Sequence, residues 1–435
     1  MKRIGSWLVA AMVCLLCTGC SLDVESFLQP PRAQGEQQQV QQALETYIRD
    51  SGAAERYTLK YPNEGAYTSA FVLCDADGKP VQNSTATARM ALAFYALASA
   101  PEDTHVNLLR RDGEEWVSIA DVGSGGADIR QVTFGDLDGD GTEELLAGWS
   151  TYNSQDRRLT VYSLKNSLHV MAAGRLYNSL YVGDMTASGT DSVLLFRTAG
   201  DERVTASLER VQNGELITED TVSLDGKIQQ FGGMTLCRLA QGVHGLYVDC
   251  VREDSSLVTE LICYDAEGLR APFYDRTTNA TDVTHRDNGL PARDVDGDGR
   301  LEIPYSNLLT DMSGMDLTEY ITRWRSWDYA TATWKDRLNT VVNTADNYLV
   351  VLDDARLEGL RTAYNPVTHT LDLMDTSRRV WLRLCAAEAG EPPVEEAEMV
   401  VLYQDDTRSC VAWFDPLLLD TEKVRYMVIR LTEGG

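Results

Sequence analysis

The sequence predicts a mainly β protein, a β-propeller of repeated four-stranded units followed by a small C-terminal α+β or β-sandwich domain. Three observations carry this expectation. An acidic, glycine-bearing loop occurs twice. Short strand-like pieces recur between turn-forming residues. Landmark aspartates repeat at intervals of roughly 50 residues, a period that signals a repeat architecture and suits propeller blades.

The elements follow in chain order. Lys2 and Arg3 precede an apolar stretch from Trp7 to Cys17, too short to span a membrane and of the right length for a secretory signal. The stretch ends Leu16-Cys17-Thr18-Gly19-Cys20, which resembles the lipobox of bacterial lipoproteins, with Cys17 where that pattern usually has Leu. The resemblance implies cleavage after residue 19, lipidation of Cys20 and an extracytoplasmic chain held at the cell membrane. Residues 20–39 contain Pro30, Pro31 and a glutamine cluster, a composition that suits a flexible tether. Val40, Leu44, Tyr47 and Ile48 then recur at helical spacing, predicting a helix within 40–56 that packs on the folded part.

Residues 57–342 carry the repeats. Phe71–Cys74 followed by Asp75-Ala76-Asp77-Gly78 reads as a strand and a relic of the acidic loop. Ala91–Leu97 has the alanine content of a helix, but its place in the repeat makes it a strand. The first complete loop is Phe134-Gly135-Asp136-Leu137-Asp138-Gly139-Asp140-Gly141-Thr142-Glu143-Glu144. Glu144–Trp149, Leu159–Leu164 and Leu168–Ala172 continue as an antiparallel meander. Gly183-Asp184 opens a degenerate copy in which Thr186 and Ser188 replace the second and third aspartates, a repeat expected to bind no ion. Leu246–Asp249 marks a further unit. The second complete loop, Asp294-Val295-Asp296-Gly297-Asp298-Gly299-Arg300-Leu301-Glu302, starts 158 residues after the first. Asp75, Asp136, Asp184 and Asp294 thus stand 61, 48 and 110 residues apart, the last gap leaving room for the unit at Leu246. Extra blades are expected from Tyr57–Lys60 and from the Trp-rich stretch Ile321–Trp334. From 343 to 435 the acidic loop is absent. Tyr348–Leu352, Leu371–Met374, Val380–Cys385, Met399–Tyr403 and Cys410–Phe414 read as strands, and Leu417–Leu431 as a helix or strand.

Carboxylates at positions 1, 3 and 5 of a tight loop converge on one point, and glycine at position 6 permits the sharp turn. That point suits a hard cation taking roughly 6–8 oxygen ligands, hence calcium. Helix-loop-helix calcium hands need an acid at position 12, where this chain has Ala147 and Tyr305; both copies instead carry an acid at position 9, Glu144 and Glu302. Asp136, Asp138, Asp140 and Glu144 are the expected side-chain ligands, with the Thr142 carbonyl. Asp294, Asp296, Asp298 and Glu302, with the Arg300 carbonyl, form the second set. The pattern F-G-D-x-D-G-D-G-x-x-E resembles the calcium loop of FG-GAP/VCBS repeats, which build β-propellers in integrin α chains and bacterial surface proteins. The resemblance is specific at 134–146, good at 294–303 and weak elsewhere. It implies loops that join two strands of a blade and two structural calcium ions.

Composition bounds function. The chain has 66 acidic and 39 basic residues; without Lys2 and Arg3, 37 basic residues remain and the net charge is −29. That excess argues against nucleic acid as a partner, and against binding an anionic membrane surface by charge. Nine cysteines are present, and Cys14, Cys17 and Cys20 belong to the export signal. The other six lack any C-x-x-C spacing and read as buried thiols, with Cys237–Cys250 and Cys385–Cys410 as the pairs to examine for disulfides. The five histidines (His105, His169, His244, His285 and His369) make no metal-ligand spacing, and neither a G-x-S-x-G elbow nor a P-loop occurs. Gly123-Ser124-Gly125-Gly126 reads as a flexible turn. Trp324, Trp327 and Trp334 read first as core residues and second as an aromatic platform for a sugar. The expected function is therefore a lipid-anchored, calcium-binding propeller that presents a binding or scaffold surface to a protein or carbohydrate ligand. The alternatives are a propeller-type enzyme acting on polysaccharide and a structural accessory of the envelope.

Overall fold

The computed structural model describes residues 35–52, 56–81, 88–152, 155–199, 203–213, 215–287, 289–308, 320–388, 399–404 and 408–431. The export signal, Cys20 and most of the expected tether lie outside these residues. The described residues divide into two compact units, one drawn from 35–60, 69–76 and 80–126, the other from 61–68, 77–79 and 127–431. Among the described residues there are six sheets of four or five strands, and their neighbouring strands run antiparallel. No helix among the described residues is long and apolar enough to cross a membrane.

The first unit holds one sheet and the helix Glu36–Asp50. Val40, Leu44 and Ile48 lie on one helical face and are buried against Ala91, Ala93, Tyr95 and Trp116. The helix starts earlier than expected because Glu36 is itself buried, paired with Arg111 at 2.6 Å. Met90–Leu97 is a strand despite its alanines, since small side chains fit a surface covered by the helix. Tyr57–Leu59 is an edge strand on this sheet and founds no unit of its own. The glycine-rich turn at 123–126 is organised by a side chain: Ser124 Oγ and the Gly125 and Gly126 N–H groups donate to Asp103 Oδ1 at 3.0–3.1 Å.

The second unit stacks five sheets in chain order, each sharing a core with the next. The second sheet comprises Ile129–Gly135, Glu144–Ser150, Arg157–Ser163 and His169–Tyr177, and the third Ser179–Gly183, Ser192–Ala199, Arg203–Gln212 and Glu215–Leu224. The fourth comprises Ile228–Ala240, Val243–Arg252, Leu257–Asp265 and Gly268–Arg270. The unbroken apolar run of residues 193–196 within the strand Ser192–Ala199 follows from burial on both faces. Val193 and Leu195 enter the core shared with the second sheet, whereas Leu194 and Phe196 enter the core shared with the fourth.

The fifth sheet contains Glu302–Leu308, Tyr320–Asp328, Thr333–Asn343 and Tyr348–Leu352, and the strand Val428–Arg430 closes its edge. The domain boundary expected at 343 therefore falls inside a hairpin of this sheet, with Val342 paired to Leu349. The tryptophans of 321–334 belong here too and make no extra unit: Trp324 is fully buried, and Trp327 and Trp334 pack around Phe273 with ring centroids 5.3 and 5.0 Å away. The sixth sheet runs Arg361–Asn365, Thr370–Met374, Val380–Glu388, Arg408–Phe414 and Val400–Gln404 in spatial order. It shares its core with the fifth through Val341, Tyr348, Val350, Leu371, Leu382 and Leu384. Residues 417–431 supply both expected forms, a helix at Thr421–Met427 and then the strand Val428–Arg430.

None of the six cysteines among the described residues is in a disulfide, and five of them are buried. Pairing geometry explains both examined pairs. Cys385 lies opposite Val411 and Cys410 opposite Ala386, so the two thiols leave opposite faces of the sheet. Cys237 pairs with Gly245, five residues along the strand from Cys250, a separation of roughly 17 Å. The opposed directions of the first pair and the separation of the second each exclude a disulfide.

Candidate metal centres

Three loops occupy one position relative to their strands. Gly135 pairs with Glu144, Gly183 with Ser192, and Arg293 bridges to Glu302. Each loop is therefore an eight-residue excursion between two paired residues, and the second member of each pair is the ninth loop residue.

The two complete loops are wound the same way. Asp136 accepts backbone N–H bonds from Gly139 and Asp140 on Oδ1, at 2.8 and 3.1 Å, and from Gly141 on Oδ2 at 3.0 Å. Asp294 accepts from Gly297 at 2.7 Å and Gly299 at 2.9 Å. Asp138 and Asp296 each accept from the residue two places on, at 3.1 Å. The turn demands a left-handed backbone at the fourth and sixth positions, where Gly139 and Gly141 have φ of 73° and 86°. Gly135 is required for another reason. A Cβ there would stand 2.4 Å from Val182 Cγ1, because the first loop rests on the third sheet.

The structure brings together Asp136, Asp138 and Glu144, with one oxygen of each lying within 4.8 Å of the others, and likewise Asp294, Asp296 and Glu302. It does not bring in the fifth-position acids. Asp140 Oδ2 is held by Lys165 Nζ at 2.7 Å, and Asp298 Oδ2 by Arg337 Nη2 at 3.1 Å. The backbone N–H groups of Thr142 and Arg300 donate to these same aspartates, at 2.8 and 2.9 Å.

The ninth-position glutamates supply the most telling observation. Both are fully buried. Glu144 Oε2 accepts from the Leu137 N–H and Glu302 Oε2 from the Val295 N–H, each at 2.9 Å. The Oε1 atom of each has no hydrogen-bond partner. A buried carboxylate oxygen left so is costly unless a cation faces it or the group takes up a proton. Burial, and then the neighbouring aspartates, push both carboxyls up to about 7. The donor sets are oxygen alone, as a hard divalent cation prefers. Near the second loop, burial and then Asp294 and Glu302 push the Cys237 thiol up to about 11, so no thiolate competes there.

The degenerate loop has the fold without the charges. Asp184 accepts from the Ser188 and Gly189 N–H groups at 2.9 and 2.8 Å, and Thr186 Oγ1 donates to Ser188 Oγ at 2.9 Å. Its ninth position is Ser192, whose hydroxyl donates to the Gly183 carbonyl at 3.1 Å. His244 Nδ1 lies 2.6 Å from the Asp184 carbonyl oxygen and secures the loop from the fourth sheet. Sequence reasoning missed Ser192, Lys165 and Arg337. The first was legible by counting nine from Asp184; the cations carry no local signal.

No protein-family model matches this sequence, and no curated protein matches it. Among solved structures the chain is similar to a candidate 6-phosphogluconolactonase from Bacteroides uniformis, with a TM-score of 0.30 and 14% identity over 73% of this chain and 94% of that one. It is also similar to the Dos1 propeller, with a TM-score of 0.28 and 10% identity over 70% of this chain and 69% of that one. An exo-β-1,3-galactanase from Phanerochaete chrysosporium aligns at a TM-score of 0.25 and 7% identity, over 78% and 82% of the two chains. Similarity at this level carries no functional assignment.

Proposed function

We infer that this chain is an exported, calcium-binding repeat protein of the β-propeller type, serving as a binding or scaffold module at the cell surface. The observation that carries the calcium reading is the pair of buried, unpartnered oxygens, Glu144 Oε1 and Glu302 Oε1, each beside two loop aspartates. The propeller reading draws on five sheets that share cores in chain order and on the resemblance of the two loops to FG-GAP/VCBS repeats. Bound calcium supplies a charge that offsets the mutual repulsion of three carboxylates; the residues of this chain supply the turn, the buried glutamate and the backbone donors that orient the aspartates. The role is structural: at the first loop the ion ties the strand Ile129–Gly135 to Glu144–Ser150, and at the second it ties the Arg293 bridge to the first strand of the fifth sheet.

Calorimetric titration of the metal-free protein is expected to find two calcium sites. Asp138→Ala with Asp296→Ala should abolish both, whereas Asp184→Ala should change neither. At about millimolar calcium and a Kd of roughly 10⁻⁴–10⁻³ M, each site stabilises the fold by about 0.4–1.4 kcal/mol. A chelator-induced fall in melting midpoint that persists in the double variant would place the ion elsewhere.

The cell-surface reading rests on Leu16–Cys20, outside the described residues. Cys20→Ser is expected to release the protein from membranes or to leave an unprocessed precursor. A correctly cleaved variant that still partitions with membranes would refute lipidation.

A further inference from the structure

Both complete loops share a contact that ligand geometry alone does not require. The fifth-position aspartate of each is turned to a cation from its own sheet. Lys165 comes from the turn between Arg157–Ser163 and His169–Tyr177; Arg337 comes from within the strand Thr333–Asn343. One is an ammonium on a turn and the other a guanidinium on a strand, so no shared sequence pattern forces the same contact twice. Meanwhile the other three carboxylates of each loop lie grouped, with one oxygen of each within 4.8 Å of the others.

We propose that Lys165 and Arg337 are built-in competitors of the divalent ion: each holds the fifth aspartate while the ion is away and yields it when the ion binds, setting the affinity of its loop. This rests on the calcium reading of the loops. An ion arriving beside Asp136, Asp138 and Glu144 draws Asp140 inward and repels the Lys165 ammonium, which is free to swing into solvent because its side chain is half exposed. Arg337 is harder to displace. It is 25% exposed, and its Nε donates to Ser326 Oγ at 2.7 Å. The second loop also carries Arg300 at its seventh position, where the first has Thr142. The first loop is, moreover, braced from outside: Asp191 N donates to the Asp136 carbonyl at 3.0 Å, and Asp136 N donates to Asp191 Oδ2 at 3.2 Å. The two sites therefore fill in order, the loop at Asp136 at lower calcium and the loop at Asp294 at higher calcium.

Calcium titrations of the full mature chain test this one loop at a time. Asp294→Ala leaves the first site and Asp136→Ala leaves the second. In these backgrounds Lys165→Gln and Arg337→Gln are expected to lower the Kd of the remaining site by about 3- to 10-fold, with the larger effect for Arg337, and to flatten its salt dependence. Lys423→Gln, an exposed lysine on the helix Thr421–Met427, removes the same charge and should leave both affinities unchanged. Unchanged or weakened binding in the Lys165 and Arg337 variants, with two sites intact in the parent, overturns the competitor role and leaves the calcium reading standing. Equal tightening by Lys423→Gln also overturns it, since the effect would then be net charge. Absence of calcium binding in every protein overturns the calcium reading itself. Lys165 is half exposed and no part of a core, so the first-loop arm decides even if Arg337→Gln fails to fold.

Discussion

Arg286→Met is expected to lower the unfolding free energy by about 3–5 kcal/mol, the usual cost of breaking a buried ion pair by removing one partner. Arg286 is 4% exposed and every arm of its guanidinium is engaged. Nη2 donates to Asp249 Oδ1 at 2.8 Å, Nη1 to Thr259 Oγ1 at 2.9 Å and to the Thr284 carbonyl at 3.1 Å, and Nε to the Leu290 carbonyl at 2.7 Å. These bonds fasten the irregular segment 271–293 to the fourth sheet just before the second metal loop begins. Methionine fills much of the volume but leaves Asp249 with two donors, Thr259 Oγ1 and the Ala292 N–H, and no countercharge. Arg286→Lys should fall between, because an ammonium restores charge without the planar fork. Urea unfolding measures the loss, with Arg276→Ala on the exposed part of the same segment expected within about 0.5 kcal/mol of wild type. A loss below about 1 kcal/mol for Arg286→Met would mean that the segment is held by its apolar contacts instead.

The second large effect concerns pH. Glu260 is fully buried in the strand Leu257–Asp265, accepting from the Asp225 N–H at 2.8 Å and from Thr281 Oγ1 at 2.7 Å on one oxygen, while the other has no partner. Burial above all pushes its carboxyl from 4.5 up to about 7. A carboxyl whose pKa is higher in the folded chain than in the unfolded one favours folding when protonated. That stabilisation is complete below about 4.5 and is lost as pH rises through about 7, a swing on the order of 3 kcal/mol. Glu260→Gln keeps the accepting oxygen and cannot ionise. Relative to wild type, the variant should therefore gain on the order of 3 kcal/mol between pH 5 and pH 8. Denaturant unfolding across that range, with calcium held saturating so that Glu144 and Glu302 stay ligated, isolates the effect. Parallel pH curves for the two proteins would show that Arg252, whose Nε donates to Asp225 Oδ2 at 3.0 Å, already keeps Glu260 ionised.

What sequence alone determined here is what nine consecutive residues can determine. The turn at Asp136, its glycines and the late glutamate form a closed local system, because backbone N–H groups two to five places on satisfy the aspartates. The same holds at Asp294 and explains why the four acids of each loop could be named before any fold was known. Most strands and the apolar face of the helix Glu36–Asp50 were legible for a similar reason, since side-chain period follows backbone geometry. Tertiary structure alone decided which acids stay with the triads. Asp140 and Asp298 are drawn aside by cations 25 and 39 residues away, a distance over which no local pattern operates. It also decided that residues 428–430 return to pair with 348–350, so that the chain after 343 joins a sheet begun before it. Pairings of that span depend on which faces remain to be buried once the neighbouring sheets have packed, and burial on two faces erases the alternation from which a strand's partners are read.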